Sequence, residues 1–303
     1  MDDYIVKATA ANATVLAMSV LSTNTVREAK KLHGLSPLAS AALGRTLTAA
    51  SMMSQMLKSE KGKLTIQIKG DGPLGGIVVV AESKANVRGY VHNPGVYLPL
   101  NESGKIDVSG GVGKKGYLNV IKDIGLKEPF IGYVDLVSGE IGDDIAYYFA
   151  YSEQIPSVVA LGVLVDVDGN IINSGGYIIQ LMPGAEEDII DYLENKIKTI
   201  PSVTSMLSEG KMPEDILELI LGEKGLDIHD KVPCAYKCNC SRERMERNIL
   251  SLGTKDIVEI IEEQHGAELV CHFCNNKYYF TEEDLRRILE NVATSKQEEH
   301  TGE

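Results

Sequence analysis

The chain has 303 residues, 44% hydrophobic and 24% charged, with a formal net charge of −13. That length suits one large domain plus a smaller one, and the apolar share supplies a real core, which excludes a wholly disordered chain. The acidic balance weighs against nucleic acid, whose binding runs on clustered Lys and Arg, and no run nears the ~18–20 apolar residues that span a bilayer. The start, MDDYIVKATAAN, carries acids where a secretory peptide carries a basic segment, so the cytoplasm is the expected compartment.

Over residues 1–180, β-type runs alternate with turn signals: YIVKAT, ATVLAMSV, KLTIQIKG, GIVVVAES, VRGYVHN, YLNVIKD, FIGYVDLV, SVVALGVLVD and GGYIIQLM. Their Val, Ile and Tyr content, punctuated by Gly, Asn and Pro, predicts a many-stranded sheet domain. One segment departs from this. From Pro37 to Leu57 the residues are strong helix formers, with Ser36 as N-cap and Pro37 in the first turn, and Arg45 is the sole charge. A helix without a polar face is predicted to be buried all round, between sheets, with Met52, Met53 and Met56 as core filling. The fold class is therefore α+β, with a long helix inside a multi-stranded β domain.

Two glycine patterns in this domain mimic nucleotide fingerprints. Gly70-x-Gly72-x-x-Gly75 is interrupted by Pro73, and both it and Gly111-x-Gly113-x-x-Gly116 precede strand-like sequence instead of a helix, so both read as turns. Glu140, Asp143 and Asp144 read as helix N-terminal acids. No catalytic constellation emerges, and the protein is not expected to be an enzyme.

Residues 181–230 change character, with 12 acidic side chains against 4 basic. Ile189, Leu193, Ile197 and Ile200 fall at helical spacing, and a second helix after Pro213 carries Ile216, Leu217 and Ile220. Helices this short are marginal alone in water, so they must dock, and the stretch would revert to a disordered chain if its docking surface were lost.

Residues 231–303 read as a compact unit. Ser241 caps a helix bearing Met245 and Ile249, Thr254 caps another bearing Ile257 and Ile261, and Gly266 ends it. A hairpin, AELVCHFCNNKYYF, follows, and Thr281 with Asp284 forms a capping box before a helix bearing Leu285, Ile288 and Leu289. The terminal SKQEEHTGE is predicted to fray.

All five cysteines lie between positions 234 and 274. Cys238-x-Cys240 and Cys271-x-x-Cys274 supply four thiolates in two close pairs, the donor set of a closed, tetrahedral structural zinc site; iron is the chemical alternative. Such a site has no open position for water, so the metal's role is folding or sensing. Structural zinc contributes ~10–16 kcal/mol in small domains, comparable with the whole stability of a typical protein, so losing it should unfold the unit. A disulfide within Cys-x-Cys would be strained, because extended backbone sets the two Cα atoms roughly 6–7 Å apart, and strained disulfides are readily reduced. Lys237, Arg242 and Arg244 either favour the thiolates or form a solvated helix face. His229, His265 and His272 read as surface or supporting residues; His33, His92 and His300 carry no functional reading.

The residues CNCSRERM followed by VCHFCNNKYYF resemble the redox-switch domain of the heat-shock protein 33 family, bacterial holdases activated by oxidation. SAALGRTL, GDGPLGG, VHNP, VIKDIGLKEPF, SGEIGDDIAYYFAYSEQIPS and GGYIIQLMPGA extend the resemblance over nearly the whole chain. It implies three parts: an α+β chaperone core over 1–180, a helical linker over 181–230, and a zinc domain over 231–303. It implies that Cys238, Cys240, Cys271 and Cys274 bind one zinc ion when reduced, and that oxidation pairs Cys238 with Cys240 and Cys271 with Cys274, frees the ion and unfolds the switch domain and linker. The protein would then hold unfolding clients without ATP, as a homodimer, with neither nucleic acid nor membrane as a partner. Cys234 lies outside this pattern and is expected to be a spare thiol, close enough to Cys238 in sequence for an alternative disulfide or ligand exchange.

Overall fold

The computed structural model describes residues 2–290 of the protein. By contacts the chain forms two compact units, Met1–Lys237 and Cys238–Glu303. The predicted tail at 295–303, with His300, lies outside the described residues.

The first unit opens with β1 (Tyr4–Ala10), β2 (Val15–Leu21), α1 (Thr23–His33) and α2 (Pro37–Ser54). It continues through β3 (Lys63–Lys69), β4 (Ile77–Glu82), β5 (Asn86–Val91), α3 (Val108–Val112), β6 (Tyr117–Asp123), β7 (Phe130–Asp135) and α4 (Gly142–Tyr148). After β8 (Ser157–Val165) and β9 (Ile171–Leu181) come α5 (Glu187–Thr199), α6 (Val203–Ser208) and α7 (Pro213–Leu221). It closes with β10 (Asp227–Pro233) and β11 (Ala235–Tyr236). All nine predicted strands are present. Joined by β10 and β11, which the sequence reading does not contain, they form a five-stranded sheet in the order β10-β1-β2-β9-β8 and a six-stranded sheet in the order β11-β5-β4-β3-β6-β7.

Helix α2 packs against β2, β8 and β9 of one sheet and β3, β4 and β5 of the other. Ser36 caps it, its hydroxyl accepting from the Ala39 N–H at 3.1 Å. Small residues make this sandwich position possible: a Cβ on Gly44 would lie 2.8 Å from Val163 and 2.9 Å from Val26, so the helix sits closer than alanine allows. The buried hydroxyls of Thr46 and Thr48 bond to the preceding turn, to Ala42 O and Gly44 O, whereas that of Ser40 has no partner among the described residues. Met52 and Met53 are buried as predicted, whereas the helix stops at Ser54 instead of Leu57 and Met56, beyond its end, is half-buried against the same core; Arg45 is relieved by a 2.6 Å pair with Glu140.

Between β2 and α2 the structure adds α1, a helix that the sequence reading does not contain. Gly34 in the left-handed conformation closes it, its N–H bonding to Lys30 O. The first glycine pattern is a turn, but Gly111 of the second belongs to the short helix α3, a correction. The two loops bond backbone to backbone, Gly72 N–H to Val112 O and Leu74 N–H to Gly111 O, both at 3.0 Å. Asp143 and Asp144 begin α4, and buried Asp144 accepts from the Val137, Ser138 and Ile141 N–H groups at 2.8, 3.0 and 2.9 Å. Glu140 precedes the helix and serves Arg45 instead.

The acidic stretch folds as α5, α6 and α7, of which α6 has no counterpart in the sequence reading. These helices cover the face of the five-stranded sheet opposite α2. Ile189, Leu193, Val203, Met206, Ile216, Leu217, Ile220 and Leu221 are buried against Val6, Ala8, Val15, Ala17, Tyr177 and Ile179.

Candidate metal centre

The second unit contains α8 (Arg242–Leu250), α9 (Thr254–Gln264), β12 (Gly266–Val270) and β13 (Lys277–Thr281), with a helix over residues 282–290. Ser241 caps α8, its hydroxyl accepting from the Arg244 N–H at 3.3 Å. The cap of α9 is Gly253, with Thr254 the first helical residue, and left-handed His265 ends that helix while Gly266 begins β12. Both differ from expectation by one residue. The Thr281–Asp284 capping box forms in both directions, at 3.1 and 3.2 Å.

Two separate segments bring four sulfurs together. Cys238 and Cys240 come from irregular backbone just before Ser241. Cys271 and Cys274 come from the turn joining β12 to β13, where the Cys274 and Asn275 N–H groups bond back to Cys271 O at 3.2 and 2.8 Å. Asn275 takes the left-handed conformation that closes this knuckle. All four Sγ atoms lie within 4.8 Å of one another, with Cys238–Cys271 at 3.7 Å and Cys240–Cys274 at 3.3 Å. A ~2.3 Å metal–sulfur bond implies sulfurs ~3.8 Å apart in a tetrahedron, so this donor set could hold a metal ion.

Electrostatics agree with that capacity. Burial, followed by the neighbouring sulfurs, raises the Cys238 thiol to about 11, and burial pushes Cys274 well above the ordinary thiol range. Burial acts the same way on Cys240, but there the hydrogen bond from Tyr278 and those from the other cysteines outweigh it and lower the thiol. Tyr278 Oη donates to Cys240 Sγ at 3.1 Å. Four thiolates at this spacing repel strongly, and a multivalent cation is what neutralises such a group. All five cysteines are free thiols.

The two nearby arginines have structural partners. Arg242 donates to Asp284 at 2.7 Å and to Tyr279 O at 2.8 Å and lies 4.3 Å over the Phe280 ring, while Arg244 donates to Asn239 Oδ1 at 2.8 Å. His265 bonds to Glu282 at 3.1 Å, and His272 is exposed. In the first unit His229 bonds to Thr9 at 2.8 Å, and His33 bonds to Tyr236 at 3.0 Å. His92 lies 5.6 Å from the Tyr90 ring. Cys234 belongs to the core of the first unit. Its Sγ faces Leu21 O at 3.7 Å, and burial, with Asp3 adding to it, pushes the thiol far above its ordinary range. Sequence reasoning missed Tyr278, whose aromatic place two residues before Phe280 in the hairpin reads equally well as strand packing.

A second feature is the attachment of the acidic helices to the five-stranded sheet. Glu214, in the first turn of α7, accepts from Tyr4 Oη of β1 at 2.7 Å and from Lys231 of β10. Tyr192 Oη ties α5 to Ile220 O at 2.9 Å, and Asn173 of β9 donates to Ser208 Oγ, at the end of α6, at 2.8 Å.

A two-sheet α+β unit with a covered apolar face, followed by a unit built around four gathered thiols, defines a class of protein whose second part is suited to a structural or sensing metal. A family model described as Hsp33 protein matches residues 3–281. The 33 kDa chaperonin of Acetivibrio thermocellus is 60% identical over 98% of this chain and all of that protein. That of Ruminiclostridium cellulolyticum is 60% identical over 96% of this chain and all of its own length. The crystal structure of the 33 kDa chaperonin (heat shock protein 33 homolog) from Thermotoga maritima superposes with a TM-score of 0.89 at 40% identity, covering 97% of this chain and all of that one. The chain belongs to the Hsp33 family, and its function is that of a chaperone.

Proposed function

We propose that the protein is an ATP-independent holdase, switched on by oxidation, that binds unfolding proteins and prevents their aggregation under oxidative and heat stress. The observation that carries this reading is the meeting of four thiols from two segments within 4.8 Å. Cys238, Cys240, Cys271 and Cys274 are the groups that would hold one zinc ion. Bound there, zinc would supply a closed four-sulfur coordination that keeps the thiolates together without a site for water. Tyr278 positions Cys240, and the hairpin knuckle positions Cys271 and Cys274.

In the proposed switch, Cys238 pairs with Cys240 and Cys271 with Cys274. Each disulfide forms as two thiols give two electrons and two protons to one peroxide, which leaves as two waters. The second unit then loses the constraint that joins its two cysteine-bearing segments. We assign residues 1–180 to the client-holding core, 181–230 to its cover and 238–303 to the switch; the expected boundary at 231 falls inside β10, and residues 231–237 belong with the sheets of the first unit. Release of α5–α7 would bare Val6, Ala8, Val15, Ala17, Tyr177 and Ile179, an apolar sheet face of the kind that captures exposed hydrocarbon. Work in the cytoplasm, as a homodimer in the oxidised state, belongs to the same reading.

Peroxide treatment at raised temperature tests it, with zinc release and light scattering from a heat-unfolded test protein followed in the same samples. One zinc freed per chain together with new suppression of aggregation, both reversed by reductant and zinc, is expected. Zinc freed with aggregation unaffected would leave the metal a structural role and remove the switch.

A further inference from the structure

The edge of β1 carries a strand that is poorly suited to it. β10 ends its sheet, with no strand beyond it among the described residues. Six of its seven residues are exposed, only Val232 being half-buried. It carries Asp227, His229, Asp230 and Lys231 and closes on Pro233. Its register slips between Lys7↔Asp230 and Ala8↔Ile228, leaving His229 as the extra residue of a bulge. Little hydrocarbon therefore holds β10 in place, and part of what does hold it belongs to the cover: Lys231 is tied to Glu214 of α7.

β1 is the opposite kind of strand. Ile5, Val6, Ala8 and Ala10 are all within 1% of complete burial. Ile5 points into the core between the sheets, whereas Val6, Ala8 and Ala10 lie under the helical cover. The Cys234 N–H bonds to Asp3 O and the Ala11 N–H to Lys224 O. Alternation along the strand then directs the N–H and C=O groups of Ile5, Lys7 and Thr9 toward β10, and those of Tyr4, Val6, Ala8 and Ala10 toward β2.

We propose that the β1 edge is a strand-acceptor site for extended apolar segments of unfolded proteins, closed by β10 while the cover is docked and opened when β10 leaves with α7. This rests on the holdase reading above. The coupling is the Glu214–Lys231–Tyr4 clasp: when α7 departs, Lys231 and Tyr4 lose the carboxylate that ties β10 and β1 to the cover. The partner is recognised mainly through its backbone, which suits a site that must accept many sequences. An apolar side chain opposite Ile5, where Val232 now lies, would enter the core side. Another opposite Val6, where β10 has Lys231, would extend the bared face. The partner must lack proline where it donates to Ile5, Lys7 or Thr9.

Residue-resolved amide hydrogen exchange tests this on the unaltered full chain in three states: reduced with zinc, oxidised, and oxidised with reduced, carboxymethylated α-lactalbumin, a permanently unfolded chain. On oxidation the Ile5, Lys7 and Thr9 amides are expected to lose protection by roughly tenfold or more while Val6 and Ala8 stay protected. Adding the unfolded chain should restore the three. Suppressed aggregation with these three amides unresponsive to the unfolded chain overturns the site but leaves the holdase reading intact. Oxidised protein that suppresses no aggregation overturns both. Protection restored merely by concentrating the oxidised protein assigns the edge to a second copy and overturns the client assignment. Lys7→Pro, which removes one edge-facing donor, should weaken capture by the oxidised protein severalfold at unchanged zinc content; undiminished capture by a folded variant counts against the site.

Discussion

The two units are held together by different chemistry. In the first, α2 is enclosed by two sheets, and its core is hydrocarbon from Ile5 through Phe149 and Ile178. In the second, the buried apolar side chains among the described residues are Met245, Ile249, Ile257, Ile261, Phe280, Leu285 and Ile288, and the two segments flanking α8 and α9 meet at four free thiols. Hydrocarbon packing offers no chemical means of release at constant temperature. Thiols do, because an oxidant changes them covalently. The acidic cover stands between these cases, built on hydrocarbon contacts to one sheet face but attached through charged and hydroxyl groups such as Glu214 and Tyr192.

The largest expected effect breaks the second unit alone. Cys271→Ser with Cys274→Ser removes half the donor set of the proposed zinc site, where a bound zinc would contribute on the order of 10 kcal/mol. Zinc content should fall to background and exchange protection should vanish in α8 and α9, while α2 keeps its protection. A doubly substituted chain that keeps full zinc affinity removes the metal assignment. Next in size is Leu217→Ala in the cover, a fully buried side chain whose truncation costs roughly 2–5 kcal/mol. Proteolysis should reach α7 sooner, and holdase activity should rise in reduced protein; a cover that becomes labile without any gain in activity separates covering from inhibition.

How far these features are legible in sequence follows from what each depends on. The nine strands and α2 are visible because periodicity and composition report burial, and burial decides them. The four-thiol group is visible because ligand spacing is local within each pair. Helix α1 is hidden by Thr23, Asn24 and Thr25, weak helix formers that the Asp3 carboxylate holds from outside the segment, accepting from the Asn24 and Thr25 N–H groups at 3.1 and 2.6 Å. β10 is hidden because its charged side chains give no strand period, and it exists by pairing with a strand more than two hundred residues earlier. Tyr278 acquires its role only when the hairpin brings it to Cys240. Local rules therefore read the parts, and the contacts that join them are written in tertiary structure.

Those joining contacts give the two smaller effects. Tyr278→Phe removes the donor to Cys240 Sγ without altering ring packing. Loss of an outer hydrogen bond to a ligand typically costs roughly 10–100-fold in metal affinity, so competition against a chelator should show weaker zinc binding in a still-folded second unit. Unchanged affinity would reduce that hydrogen bond to a packing coincidence.

The smallest effect concerns the clasp. Burial opposes ionisation of Glu214, but the hydrogen bonds from Lys231 and Tyr4 prevail and hold its carboxyl below the ordinary value of 4.5. A folded pKa below the unfolded one gives stability that is present above about pH 4.5 and lost as pH falls through the lower folded value. Exchange protection in α7 and β10 should therefore decline together below that pH, before α2 responds. Glu214→Gln should flatten the dependence while keeping an acceptor for Tyr4. If α7 loosens in acid and β10 does not, the clasp does not couple them, and the difference between a conditional cover and a permanent core then rests on hydrocarbon burial alone.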